Sequence, residues 1–108
     1  MATTVNLLID QGATFSTMID LVDQNGDPID LSSYTGASQM RKHYTSSNSI
    51  SFTVGLSNTG VVTLGLTAAQ TAALTAGRYV YDVEVTDGAS NVSRIVEGIV
   101  TVSPNVTR

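Results

Sequence analysis

The stretch Leu64-Gly-Leu-Thr-Ala-Ala-Gln-Thr-Ala-Ala-Leu-Thr-Ala-Gly-Arg-Tyr-Val-Tyr-Asp-Val-Glu-Val85 constrains the fold more than any other, because it reads strand, short helix, strand. Thr67 followed by Gln70 has the capping-box spacing, and the alanines after it are the best helix formers. Gly77 stands where a helix is expected to close in a left-handed conformation, so the spacing predicts a single helix over 67–76. Everything around it alternates with the period of a strand.

That alternation can be followed along the chain. Val5–Asp10 is an apolar opening strand, and Gln11-Gly12 breaks it before an extended pattern from Ala13 to Asp23 with Phe15, Thr17, Ile19 and Leu21 on the core side. Asn25-Gly26, with Pro28 after it, is a strong turn signal. Asp30-Leu-Ser-Ser-Tyr34 reads as a tight corner in which Asp30 or Ser32 caps backbone donors. Ala37–Tyr44 is a strand whose core face the pattern leaves open. Ile50, Phe52, Val54 and Leu56 alternate cleanly and predict one continuous strand. Val62, Leu64 and Leu66 face inward in the next, and Tyr79, Tyr81, Val83 and Val85 in the one after the helix. Asp87–Asn91 is a hairpin loop, and Val92–Ser103 returns as a long strand with apolar residues on both faces. Such a strand is central in its sheet or meets a partner.

A chain of 108 residues suffices for one core, so one domain over 1–104 with a tail over 105–108 is expected. Roughly seven or eight short strands with closely spaced turns lead to an all-β, immunoglobulin-like β-sandwich of antiparallel strands with one short helix. Zero cysteines exclude disulfides and thiolate chemistry. Five basic residues against nine acidic give a net charge of −4, and the cations are scattered, which argues against nucleic acid as a partner. No apolar run approaches the ~18 residues of a membrane span, and no basic leader opens the chain, so no membrane association is expected.

Candidate chemistry is sparse. Asp20, Asp23, Asn25, Asp27 and Asp30 crowd one strand end and its turn, and oxygens of that sort hold hard cations. The spacing is not that of an EF-hand, and Asn-Gly turns attract aspartate for conformational reasons, so the expectation is a solvated turn, with Asp23, Asn25 and Asp27 the only metal candidates. His43 is the one histidine, and no nucleophile motif accompanies it. Asp82 and Glu84 share the outward face of a strand, with Glu97 on the returning one. Paired carboxylates can hydrolyse glycosides, but with Arg78 and Arg94 nearby the expected arrangement is a cross-strand ion-pair ladder or a subunit contact. The glycosylation sequons at Asn91 and Asn105 are expected to be fortuitous. Neither catalysis nor a cofactor is therefore expected.

The strings Asp30-Leu-Ser-Ser-Tyr34, Gln39-Met-Arg-Lys42, Gly60-Val-Val-Thr-Leu64, Leu66-Thr-Ala-Ala-Gln-Thr-Ala-Ala-Leu74, Gly77-Arg-Tyr-Val-Tyr-Asp-Val-Glu84 and Arg94-Ile-Val-Glu-Gly-Ile-Val-Thr-Val-Ser-Pro104 stand out along the chain. With them the chain resembles the small immunoglobulin-like virion proteins of tailed bacteriophages, cyanophages in particular. The chain is more distantly similar to the N-terminal domain of phage baseplate upper proteins. The resemblance runs from about Phe15 onward, and its strings determine a scaffold rather than an active site. It implies a non-enzymatic virion subunit that binds other virion proteins and associates with its own copies. An assembly or adaptor subunit of the tail or baseplate is the first expectation, and a capsid decoration protein on the major capsid protein the second. An expectation of another class is a module binding host-surface glycan through Tyr34, Tyr44 or loop aspartates. The residues expected to make protein contacts are an N-terminal arm with Thr3, Thr4 and Val5, a tail with Asn105, Val106 and Arg108, and the strand around Arg94 and Glu97.

Overall fold

The computed structural model describes residues 3–22, 25–43, 45 and 49–104. They form nine strands and one helix: β1 (Thr3–Thr4), β2 (Leu7–Asp10), β3 (Phe15–Asp20), β4 (Thr35–Arg41), β5 (Ile50–Ser51), β6 (Thr53–Leu56), β7 (Val61–Leu66), α1 (Ala68–Ala72), β8 (Gly77–Thr86) and β9 (Val92–Ser103). The larger sheet has the order β1-β9-β8-β4-β5, with β2 also paired to β9, and the smaller has the order β3-β7-β6. Each sheet hides one face against the other, giving an all-β sandwich of the expected immunoglobulin-like kind.

The core is built from the inward residues that the alternation marks. Ile19, Val62, Leu64 and Leu66 come from the smaller sheet, and Ile9, Met40, Tyr79, Tyr81, Val83, Val96, Val100 and Val102 from the larger. The open question at β4 is settled by Ser38 and Met40, which are both buried. Ser38 is tolerated there because its hydroxyl donates to the Asp82 carbonyl at 2.6 Å. The Asp30 corner forms as expected: the Asp30 carboxylate accepts from the Ser32 amide at 2.9 Å and from its hydroxyl at 2.7 Å. These bonds, the side-chain one first, hold the Asp30 carboxyl below its usual range.

Three features differ from expectation. The stretch from Ile50 to Leu56 is two strands: β5 pairs with β4 in one sheet and β6 with β7 in the other. The crossing point is Phe52, whose amide donates to the Ser38 carbonyl at 2.9 Å while its ring packs between Phe15 and Tyr81, about 6 Å from each. Second, β1 and β2 run parallel to β9, so the larger sheet is mixed rather than purely antiparallel. Third, α1 is shorter than 67–76. Thr67 and Gln70 make the reciprocal capping box, but the helix ends at Ala73, and Leu74 turns into the core with its amide on the Thr71 carbonyl. Gly77 does take a positive φ, +134°, yet it opens β8 instead of closing the helix.

Thr71 is the polar pin of this end of the sandwich. It is fully buried, its hydroxyl donates toward Ala13 O at 2.8 Å and Ala68 O at 3.1 Å, and it accepts from the Gly12 amide at 3.1 Å. Gln11 adds a bond to the Leu74 carbonyl at 2.7 Å, so the helix fixes the β2–β3 corner. Thr71→Val keeps the shape and strands those groups, and we expect a loss of about 1–2 kcal/mol in chemical denaturation.

Candidate interaction surface

The outer face of the larger sheet gathers most of the chain's charged strand residues. In register across β4, β8 and β9 lie the rows Gln39–Asp82–Glu97 and Arg41–Val80–Ile99. A third row, Ala37–Glu84–Arg94, owes its composition to a β-bulge between Val83 and Glu84, where β9 carries one extra residue. Arg94 is an even number of residues from the buried Val96, Val100 and Val102, so strict alternation would aim it at the core. The bulge at Ile95 turns it to the outer face beside Glu84 and Asp82.

There Arg94 Nε lies 3.3 Å from Asp82 Oδ2, with the two side chains 53% and 36% exposed. So exposed a pair contributes at most about 1 kcal/mol to the fold. Asp82 and Glu97 stand directly opposite each other as like charges, a destabilising arrangement that Arg94 relieves. The expected ladder is therefore one diagonal rung over an acidic pair. Arg78 takes no part in it, being opposite Thr101. Around the rung is a shallow depression of ≈ 410 Å³ lined by Gln39, Arg41, Val80, Asp82, Glu84, Arg94 and Glu97. In the adjoining row of the same face Ile99, opposite Val80, is 43% exposed. Fixed charges of both signs beside an exposed apolar side chain are features that a partner of complementary charge can match.

The other expected residues are dispersed. Thr3 and Thr4 are exposed but paired to Val96 and Glu97, so this segment is a strand and not a free arm. Val5 is held harder: its amide donates to Glu97 O at 2.9 Å and its carbonyl accepts from the Tyr81 hydroxyl at 2.6 Å. Asn105, Val106 and Arg108 lie outside the described residues, as do Asp23 and Tyr44. Asn25, Asp27 and His43 are exposed, and among the described residues no three His, Cys, Asp or Glu side chains gather as metal ligands would. Tyr34 is half-buried. Asp87 closes its own loop, accepting from the Asn91 and Ala89 amides at 2.9 and 2.8 Å and from the Asn91 side chain at 3.2 Å. Those bonds, led by the one from the Asn91 amide, stabilise the carboxylate and hold the Asp87 carboxyl below its ordinary pKa of 3.8.

No protein-family model matches the chain, and no curated protein does. Among solved structures it is similar to the Listeria monocytogenes internalin-like protein lmo2027, at 17% identity and a TM-score of 0.47, over 96% of this chain and 28% of that one. It is also similar to a family 123 glycoside hydrolase from Clostridium perfringens, at 14% identity and a TM-score of 0.40, over 97% of this chain and 23% of that one. The chain thus spans about a quarter of the length of either protein.

Proposed function

We propose that this protein is a non-catalytic assembly subunit that docks on other proteins through the outer face of its larger sheet, and that the assembly is the virion of a tailed phage, at the tail or baseplate. The observation that carries the docking role is the bulge-placed Arg94 set among Asp82, Glu84 and Glu97, with exposed Ile99 in the adjoining row. An exposed pair contributes little to folding, so a bulge that turns Arg94 outward is better accounted for by contact with a partner. The virion setting is supported by the sequence resemblance described above.

The test is incorporation. Arg94→Glu converts the cluster to four acids, and because Arg94 is exposed the variant is expected to fold with stability within about 1 kcal/mol of the parent. Expected is at least a tenfold loss of the protein from purified particles, roughly what removing one good charged contact costs. Normal incorporation of Arg94→Glu would exclude this face as the docking surface. Electron microscopy of labelled particles then separates the two sites: small multiples of three or six copies at the tail support the baseplate reading, and dense coverage of the head replaces it with capsid decoration.

A further inference from the structure

The smaller sheet ends in an edge that the fold leaves open. β3 pairs with β7 on one side, and among the described residues nothing pairs with its other side. The direction of its backbone groups follows from Leu21, whose amide donates to Gly60 O on the β7 side at 2.7 Å. Alternation then turns the amides and carbonyls of Ser16, Met18 and Asp20 to the open edge.

Edges elsewhere in the molecule are blunted. β5 is two residues long, and β6 packs on β4 at the corner made by the Phe52–Ser38 bond. The β1–β2 edge is interrupted at Val5 and Asn6. By contrast β3 runs six residues without proline, glycine or a bulge, its one charge, Asp20, stands at its end, and Met18 is 73% exposed on its outer face. Native proteins seldom leave the middle of such an edge without a charge, a proline or a bulge.

We propose that the β3 edge is where a second copy of this chain pairs, antiparallel about a two-fold axis through Met18, joining two three-stranded sheets into one of six. This is the register that uses all three outward-directed residues: Met18 opposite its own mate, and Ser16 opposite Asp20 of the second copy on both sides of the axis. It is self-complementary in chemistry as well as in hydrogen bonding. The two exposed methionines cover each other, and each Asp20 carboxylate meets a serine hydroxyl that can donate to it rather than another acid. Because β6 at the far side of the sheet is already packed on β4, pairing stops at two copies and does not propagate. A six-residue edge buries less than the ~1,200 Å² of a stable free-standing dimer, so the contact is weak in dilute solution and strengthens where copies are held close together. It uses the opposite sheet from the docking face, so either can fail without the other.

The absence of cysteine from the sequence makes the test direct. In the proposed register the two Met18 Cα atoms lie about 5.5 Å apart, within disulfide range, whereas the two Ser16 positions are separated by roughly 14 Å of strand. Under mild oxidation at about 100 µM, Met18→Cys is expected to form covalent dimer about tenfold faster than Ser16→Cys or the exposed control Val92→Cys. Adding Ser16→Pro to Met18→Cys removes an edge amide that the chain's own sheet does not use, and should reduce dimer formation to the control rate. Equal rates for Met18→Cys and Val92→Cys would overturn the proposal, as would a rate that Ser16→Pro leaves unchanged.

Discussion

Gly98→Ala is expected to detach the N-terminal strand and to lower stability by about 3 kcal/mol, which for a domain of this size is a fall of some 15 °C in Tm. Gly98 lies on β9 opposite Tyr81, and a Cβ there would be driven into the Val5 carbonyl and would stand 3.2 Å from Asn6 Oδ1. Three hydrogen bonds depend on that missing methyl. The Val5 carbonyl accepts from Tyr81, the Val5 amide donates to Glu97 O, and Asn6 Oδ1 accepts from the Ile99 amide at 3.1 Å. No flexible side-chain end can give way, because the obstruction is backbone. The measurement is thermal unfolding of Gly98→Ala beside Gly88→Ala, where a Cβ meets nothing within 4 Å and stability should hold. Amide exchange at Val5 and Ile99 should rise in the first variant alone. If both alanine variants melt with the parent, β1 is not anchored as described.

How far such details can be read in advance depends on whether they leave a mark on the alternation. The inward sets of β7 and β8 are fully legible, since each is buried on one face and alternates without interruption. The capping box of α1 is legible too, because Thr67 and Gln70 act within one turn. The sheet change at Phe52 is not, for a physical reason: both sheets look toward the same interior, so a strand leaving one for the other keeps its inward residues inward. The parallel direction of β1 and β2 likewise leaves no trace in which residues face the core.

The candidate surface was half legible. Asp82 and Glu84 on one outward face follow from parity, but by parity Arg94 and Glu97 belong to opposite faces of β9. Only the bulge at Ile95 unites them, and no glycine or proline announces it. The open β3 edge was invisible for another reason. Whether a strand is an edge depends on what fails to pair with it, which is a property of the whole topology and not of Phe15–Asp20.

Alkaline pH should unfasten the same N-terminal strand that Gly98→Ala displaces. Burial raises the Tyr81 hydroxyl from the usual 10.0 to about 12, because the ring is enclosed and its phenolate would lose water. The hydroxyl is also the donor to Val5 O, a bond that the phenolate cannot make. A group held protonated by the fold binds its proton more tightly in the native than in the unfolded chain. Its contribution is thus complete below pH 10 and declines from there to about 12, as the unfolded state alone gives up the proton. The full decline is about 2–3 kcal/mol, two pH units at roughly 1.4 kcal/mol each. Tyr81→Phe removes the titration and the bond together. It should be about 1 kcal/mol less stable than the parent at neutral pH and should lose less stability across the alkaline window, so the two curves cross at about pH 11 and the variant is the more stable above it. Urea denaturation of both proteins from pH 8 to 12 measures this difference, and parallel curves would mean that Tyr81 ionises with no cost to the fold.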